Sequence, residues 1–471
     1  MSEQITVASS ATEPQIMAGG SWGAELRATF ALAWPLVIAQ LAQNMLQTTN
    51  VVMLGWLGPE YLAAGTLGST FMMPFLVFGT GTVGAVAALV AQARGARYIK
   101  AVRRIVRQGC WAAIILAAGI VPILWQVRPI FLALGQDPNT TMMVEQYVQI
   151  AAFMMFPAIA LIAFRSLLSA FAFTRMILVI TVGGVFVNAA LDYGLIFGNF
   201  GLPRLELRGA AISTLTTNIV MCAAMAIYVL RHQRLRRFHV LRRFWRPDWP
   251  RFREIFRVGL PIGLTVLAEV SLFTAAALLM GRLGTDEVAA HAIALQCASM
   301  AFMVPLGLGT AATVRVGLAY GKGDRPGVAR AGWTAFALST GFMAISCIAF
   351  VGLAPLIVTL FLNPSHPENA NALLLAASFL VVAGIFQLVD GAQVVAAHAL
   401  RGLSDTKIPM LMAIIGYWAV DLPVSYVLGF WLEWRGIGIW TGLAVGLAFV
   451  AVLLVTRFAL RERLGLMQPR D

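Results

Sequence analysis

Residues 35–95 and 261–321 carry the same pattern without a gap. The first copy reads Pro35…Gly55-Trp56-Leu57-Gly58, Glu60, Ala63-Ala64 and Gly95. The second reads Pro261…Gly281-Arg282-Leu283-Gly284, Asp286, Ala289-Ala290 and Gly321, each position shifted by 226. A weaker echo sets Ala170-Phe171-Ala172-Phe173-Thr174-Arg175 against Leu403-Ser404-Asp405-Thr406-Lys407, with Thr174 and Thr406 232 apart. Both copies are largely apolar. Two similar apolar halves point to a membrane transporter, because related bundles can rock about a shared central site.

The chain is 59% hydrophobic and 12% charged, whereas soluble chains carry about 25% charged residues. A membrane span needs ~20 mainly apolar residues. About twelve such segments are present, centred near residues 42, 75, 117, 154, 184, 218, 267, 302, 345, 385, 418 and 448. In hydrocarbon only helices or closed barrels satisfy the backbone, and these runs far exceed the ~10-residue strands of a barrel. The expected fold is an all-α integral membrane protein with about twelve transmembrane helices in two pseudo-symmetric six-helix bundles.

Net charge is +13, and its placement argues against nucleic acid. With alternate loops assigned to two sides, 29 of the 34 Lys and Arg fall on the side of the termini. The other side keeps Arg128, Arg204, Arg208, Arg282 and Arg435. This asymmetry predicts cytoplasmic termini in a plasma membrane, a bacterial inner membrane in particular, with the basic excess facing anionic lipid. No short apolar run with a cleavage site precedes the first segment, so no signal peptide is expected. The segment from Arg231 to Arg257 holds ten arginines with Pro247 and Pro250 and reads as the link between halves. The expected organisation is a flexible tail at 1–27, a first lobe at 28–231, a basic linker at 232–256, a second lobe at 257–460 and a tail at 461–471. Cys110, Cys222, Cys297 and Cys347 are widely spaced in or beside apolar segments and suit packing rather than metal or disulfides.

Polar groups inside the segments are the functional candidates. Glu269 and Asp390 sit mid-segment, and Asp192 and Asp421 nearer segment ends. A carboxylate at the bilayer centre costs at least ~3 kcal/mol, and burial of an acid disfavours its charged form, which suits proton exchange. Each could instead be a packing carboxyl tied to a polar neighbour, an alternative that weighs most for Asp192 and Asp421. Gln40, Gln43, Gln47 and Asn50 fall on one helical face, which should line an aqueous cavity or a helix interface. Gln43 stands at the repeat position of Glu269. Asn188 and Asp192 share a face, as do Tyr417, Asp421 and Ser425 beside Pro423. Asp421 either approaches the other acids or sits in water at the outer mouth. Gly79-Thr80-Gly81-Thr82-Val83-Gly84 fits G-x-G-x-x-G, but it lies in an apolar helix with no strand before it. Close helix packing explains it better.

These residues resemble the MATE family, the multidrug and toxic compound extrusion transporters, in its NorM-like branch. The resemblance rests on Gly259-Leu260-Pro261-Ile262-Gly263 with Glu269, Val288-Ala289-Ala290-His291, and Phe302-Met303-Val304-Pro305 followed by Arg315-Val316-Gly317. Asp390-Gly391-Ala392-Gln393-Val394-Val395…Leu400-Arg401-Gly402, Tyr417-Trp418 and Leu422-Pro423 complete it. It covers roughly residues 28–460. It implies a V-shaped transporter that exports organic cations and other amphiphiles in exchange for Na⁺ or H⁺. Glu269 and Asp390 match the family's cation-coupling acids, and Asn188 and Asp192 match polar residues some members use. Asn50 replaces the usual Asp, Leu46 and Phe386 stand where members place Tyr, and Asp421 is an extra acid.

The resulting reading is a multidrug antiporter with Glu269 and Asp390 as coupling acids holding a monovalent cation. Asn50, Gln43, Asn188, Asp192, Asp421, Phe386 and Gln387 are secondary cation or cavity residues. The loss of oxygen ligands at Asn50 and Phe386 tips the coupling ion toward H⁺ over Na⁺. No cofactor, no nucleic acid and a monomer are expected. The rivals are a flippase for lipid-linked precursors and a membrane-embedded enzyme, for which no paired catalytic groups are seen.

Overall fold

The computed structural model describes residues 21–240, 244–362 and 369–468. Residues 1–20 of the expected first tail, 241–243 of the linker and 469–471 of the last tail lie outside the described residues. Among the described residues every regular element is helical. Twelve helices are long and apolar enough to cross a membrane: α1 Trp22–Leu57, α2 Pro59–Gly95, α3 Ile99–Leu124, α4 Pro138–Ala170, α5 Thr174–Phe197, α6 Glu206–Arg231, α7 Trp249–Leu283, α8 Thr285–Gly321, α9 Arg325–Gly352, α10 Ala370–Gly402, α11 Lys407–Trp431 and α12 Arg435–Ala459. An even number of spans leaves the two ends of the chain on one side.

Local chemistry fixes the helix starts. The Ser21 hydroxyl accepts the Ala24 amide at 3.3 Å and opens α1. Asp248 accepts the Arg251 amide at 3.4 Å and opens α7, with Pro250 in its first turn. Both helices therefore begin before the lobe boundaries read from hydropathy at 28 and 257. One residue, Gly58, joins α1 to α2, and Gly284 joins α7 to α8. Their φ values are 150° and 148°, which a residue with a Cβ rarely adopts. The two junctions are 226 apart, so the sequence repeat is a repeat of backbone conformation.

Helices of 33–37 residues run ~50–55 Å at about 1.5 Å per residue, well beyond the ~30 Å hydrocarbon core. The sequence reading placed Arg94, Arg107, Arg165, Arg315 and Arg401 in loops. They lie inside helices instead, because these helices continue past their apolar stretch.

The bundles α1–α6 and α7–α12 meet through α1 against α8, α2 against α7, and α2 against α8. The contacts obey the repeat. Gly81 on α2 faces Gly263 on α7, and a Cβ there would lie 3.0 Å from the Gly263 Cα. The counterparts, Gly307 on α8 and Val37 on α1, face each other in the same way. Where α2 crosses α8, equivalent residues meet: Gly317 faces Ala91, and Gly95 faces Gly321. A Cβ on Gly95 would collide with the Leu318 carbonyl, and one on Gly321 with the Gln92 carbonyl. Each glycine that touches the opposite bundle lies in the terminus-side half of its helix. The bundles thus form a V with its apex at the end carrying the termini.

Polar contacts tie the apex. Glu25 on α1 and Arg315 on α8 form an ion pair, only 3% and 6% exposed, that includes an Nε to Oε1 contact of 2.8 Å. The Gln92 amide donates to the Gly402 carbonyl at 2.8 Å and the Ser404 hydroxyl at 2.9 Å. One buried apolar cluster fills the first bundle and runs through Leu308, Ala311, Ala312 and Val314 into the apex. A second stays within α7–α12 and the turns beside them.

Two tests follow from the apex. Gly95→Val should cost the bundle contact ~1–3 kcal/mol and widen the apex in spin-label distance measurements. Gly119→Ala, which meets nothing within 4 Å, should leave both distance and thermal stability unchanged. For the ion pair, Glu25→Gln should destabilise the apex by about 3–5 kcal/mol, because Arg315 stays buried once the Glu25 charge is gone. Adding Arg315→Met should recover part of that loss in a double-mutant cycle of thermal unfolding.

Candidate cation and substrate site

Glu269 on α7 and Asp390 on α10 come within charge-interaction range of each other in the second bundle. Asp390 is 4% exposed, and its Oδ1 has no hydrogen-bond partner among the described residues. A buried acceptor left open in this way suits a proton or a small cation. Glu269 is half-buried and lines a small cavity. Thr265 and Ile262 share its helix there; Gln393 and Arg401 on α10 and Asp405 and Thr406 in the following turn face it. The buried Tyr417 hydroxyl accepts the Gln393 amide at 2.5 Å, and the ring lies within range of both acids.

An aromatic column braces the acids from behind. His291 on α8 packs on Trp440 of α12 at 5.5 Å, Trp440 meets Phe386 of α10 edge-on at 5.6 Å, and Phe386 meets Phe273 of α7 at 6.2 Å. Phe273 is one turn beyond Glu269 and Phe386 one turn before Asp390. Phe386 is thus committed to packing and supplies no oxygen. Gln387 turns away to α9, where it accepts the Ser346 hydroxyl at 2.8 Å.

The structure separates Asp421 from these acids. It is fully buried against Gly446 of α12, where a Cβ would collide with its side chain. The Ser425 hydroxyl donates to its Oδ1 at 3.1 Å. Of the two placements open to it, beside the acids or in water at the mouth, it takes neither. The cause is local: α11 runs in π turns over Ile415–Asp421, just before Pro423. Tyr417, Asp421 and Ser425 still share one buried face, and its lower part points at α12.

In the first bundle the polar stripe of α1 divides. Gln40 and Gln43 accept from the Arg165 guanidinium at 2.6 and 3.4 Å, which anchors α4 to α1. Gln47 is exposed. The Asn50 amide donates to Thr214 on α6 at 3.0 Å. Asn188 donates to Ser213 at 3.1 Å. Asp192 is fully buried, with neither carboxylate oxygen hydrogen-bonded among the described residues and Tyr147 within charge range. So Asn50, Asn188 and Asp192 collect on α1, α5 and their α6 partners, while Gln43 lies toward the apex on Arg165.

The family profile described as MatE matches residues 35–194 and 261–427. The chain belongs to the MatE family. The two matched stretches begin 226 residues apart, at the first residue of each repeat copy. The chain is 44% identical over 446 residues to the probable multidrug resistance protein NorM of Mesorhizobium japonicum, covering 94% of this chain and 96% of that one. It is 41% identical over 443 residues to the multidrug resistance protein NorM of Burkholderia vietnamiensis, covering 94% and 95%. The crystal structure of the eukaryotic MATE transporter AtDTX14 shares the fold at a TM-score of 0.83 and 20% identity, over 93% of this chain and 96% of that one. With twelve candidate spans, the MatE chain described here is a multi-pass membrane protein.

Sequence reasoning missed Arg165, Arg401 and Trp440 as members of the site. Arg165 reads from the sequence as a loop charge, and Arg401 as a loop charge within the motif Leu400-Arg401-Gly402; the signal for both is a lone cation at the edge of an apolar run. Because Asp421 is held by Ser425 and α12, Asp421→Asn should leave the pH profile of efflux unchanged while lowering thermal stability. A shifted pH profile in that variant would place Asp421 within the coupling group.

Proposed function

We propose that the protein is a secondary antiporter that exports amphiphilic, cationic organic compounds in exchange for an inward cation, with Glu269 and Asp390 as the coupling acids. The observation that carries this is the pair itself. Two costly acids on separate helices come within charge range of each other, and one keeps a buried oxygen open. Binding of a cation there and binding of a cationic substrate compete for the same negative charge, so loading one releases the other. The named NorM relatives support multidrug efflux as the transport task. The apex closes the terminus side, and the basic residues favour cytoplasmic termini in a plasma membrane, so substrate leaves by the open end of the V. Each charge moved down 100 mV supplies ~2.3 kcal/mol.

The coupling ion in this reading is H⁺. Na⁺ takes several oxygen ligands, and here Phe386 offers none while the Tyr417 hydroxyl is bonded to Gln393. Asn188 and Asp192 form a second polar pocket, with Asp192 a lesser contributor because its neighbour Asn50 cannot ionise. The basic linker at 232–256 and the tails at 1–27 and 461–471 serve as cytoplasmic connections, and the protein acts as a monomer.

The test is efflux of a cationic dye from proteoliposomes with Na⁺ and pH gradients imposed separately. Glu269→Gln and Asp390→Asn should each lower gradient-driven efflux at least ~100-fold while the protein still inserts, and Asp192→Asn should cost less. Full-rate coupled transport by both C-lobe variants would overturn the assignment, and a larger loss in Asp192→Asn would move the coupling site to the first bundle.

A further inference from the structure

We propose that the terminus-side end of α3 and the linker segment 244–248 form a discrete site for one anionic phospholipid bearing two phosphates, of the cardiolipin class. The site stands apart from Glu269 and Asp390 and does not rest on their role. It also goes beyond a general attraction of the basic face for anionic lipid, because it is built at one place from named contacts.

The linker is fastened onto α3 at this point. The Trp111 indole N–H donates to the Phe244 carbonyl at 2.9 Å, and the two rings stack at 5.3 Å. Trp245 meets Trp111 edge-on at 6.2 Å. The Gln108 amide donates to the Arg246 carbonyl at 3.4 Å. Asp248, which caps α7, lies 3.7 Å from the Arg104 guanidinium. These contacts bring Arg246 beside the arginines of α3.

Four guanidinium groups gather there against one carboxylate. Arg107 lies within charge range of Arg103, Arg104 and Arg246, with Asp248 offsetting them. Arg107 forms the floor and is 6% exposed. Arg104 and Arg246 are exposed above it, and Arg103 is half-buried beside it. Arg103 and Arg246 form no ion pair among the described residues. Like charges held this close repel, and a buried member is poorly screened by solvent. An anion over the cluster removes that repulsion, and guanidinium forks match phosphate oxygens in pairs.

The surroundings of the cluster select a lipid. Along α3 the arginines give way to Trp111 and then to the exposed Ile114, Ile115 and Ala118. Arg107, Trp111 and Ile115 share one helical face. From Arg107 to Ile115 is about 12 Å along the helix, enough to cross the ~5–8 Å interfacial layer and reach the acyl chains. Trp245 is 81% exposed beside the charges, and bilayer headgroups are where indoles settle. A soluble phosphate would engage the arginines and leave this apolar strip bare. The number of charges selects two phosphates. A single phosphodiester carries one negative charge, less than the cluster leaves uncompensated, whereas a two-phosphate head neutralises more and reaches from α3 to Arg246. Basic pockets of this kind on the cytoplasmic side of helix bundles suit such lipids. Because Asp248 both pairs with Arg104 and caps α7, a lipid held here also steadies the start of the second bundle.

The experiment titrates the purified full chain, stripped of native lipid in detergent, with tetraoleoyl cardiolipin, dioleoyl phosphatidylglycerol or dioleoyl phosphatidylcholine. Bound lipid is read by native mass spectrometry. One cardiolipin should be retained per chain, at least ~10-fold more tightly than phosphatidylglycerol, with phosphatidylcholine weaker still. Arg103→Gln combined with Arg246→Gln should lower cardiolipin affinity at least ~10-fold. Arg325→Gln combined with Arg463→Gln removes the same charge from the terminus side of the second bundle and should change it less than about twofold. Trp245→Ala, a change at an exposed ring that leaves the fold intact, should weaken cardiolipin at least ~threefold, and it decides the matter if the first pair does not fold. An equal loss in the Arg325 and Arg463 pair would reduce the site to diffuse attraction and overturn it. Equal affinity for phosphatidylglycerol, or unchanged cardiolipin binding in the Arg103 and Arg246 pair or in Trp245→Ala, would overturn it as well. Displacement of the lipid by inorganic pyrophosphate at equal concentration would make this a soluble-anion site and sink the lipid assignment.

Discussion

Backbone contact between the two bundles is the constraint from which the rest of the structure follows. At Gly95, Gly259, Gly307 and Gly321 a side chain would meet the carbonyl or Cα of the other bundle. This approach is possible only without a Cβ, and it sets the depth at which α2 and α8 cross. With the apex fixed, the helices must diverge toward the other end, and the polar residues above the crossing face a space that packing cannot fill. Glu25–Arg315 and the Gln92 bonds lie at the same level, where they add directional contacts to an interface of otherwise small residues.

The two bundles share a backbone plan and differ in charge. At one repeat position the first bundle has Gln43, bonded to Arg165, and the second has Glu269, facing Arg401. Each half sets a guanidinium near that position, yet only the second sets an acid there. An amide and an arginine form a settled contact. An acid near an arginine keeps a choice of two states, which is what a coupling group needs.

The features that span many residues were legible in the sequence. The repeat offset survives as paired junctions at Gly58 and Gly284 and as paired contacts at the apex, and the twelve apolar segments fall within the twelve helices. Clustering of Glu269 and Asp390 in one bundle also followed from their positions. Other features needed coordinates. Hydropathy ends where the membrane ends, while helices continue, so Arg165, Arg315 and Arg401 read as loop charges. The orientation of Asp421 depended on π turns, which shift a face by a fraction of a turn that no periodicity count resolves. The His291–Trp440–Phe386–Phe273 column joins four helices far apart in sequence, and packing of that kind leaves no local trace.

The one-residue junctions carry a mechanical consequence. With only Gly58 between α1 and α2, and only Gly284 between α7 and α8, the hairpins have no slack. A tilt applied to one arm is passed to the other as through a stiff lever pivoted at the apex. For arms of ~50 Å, a rotation of about 10° moves the far tips by roughly 9 Å. A change too small to break more than a few apex contacts is thus enough to sweep the open end across the width of a helix.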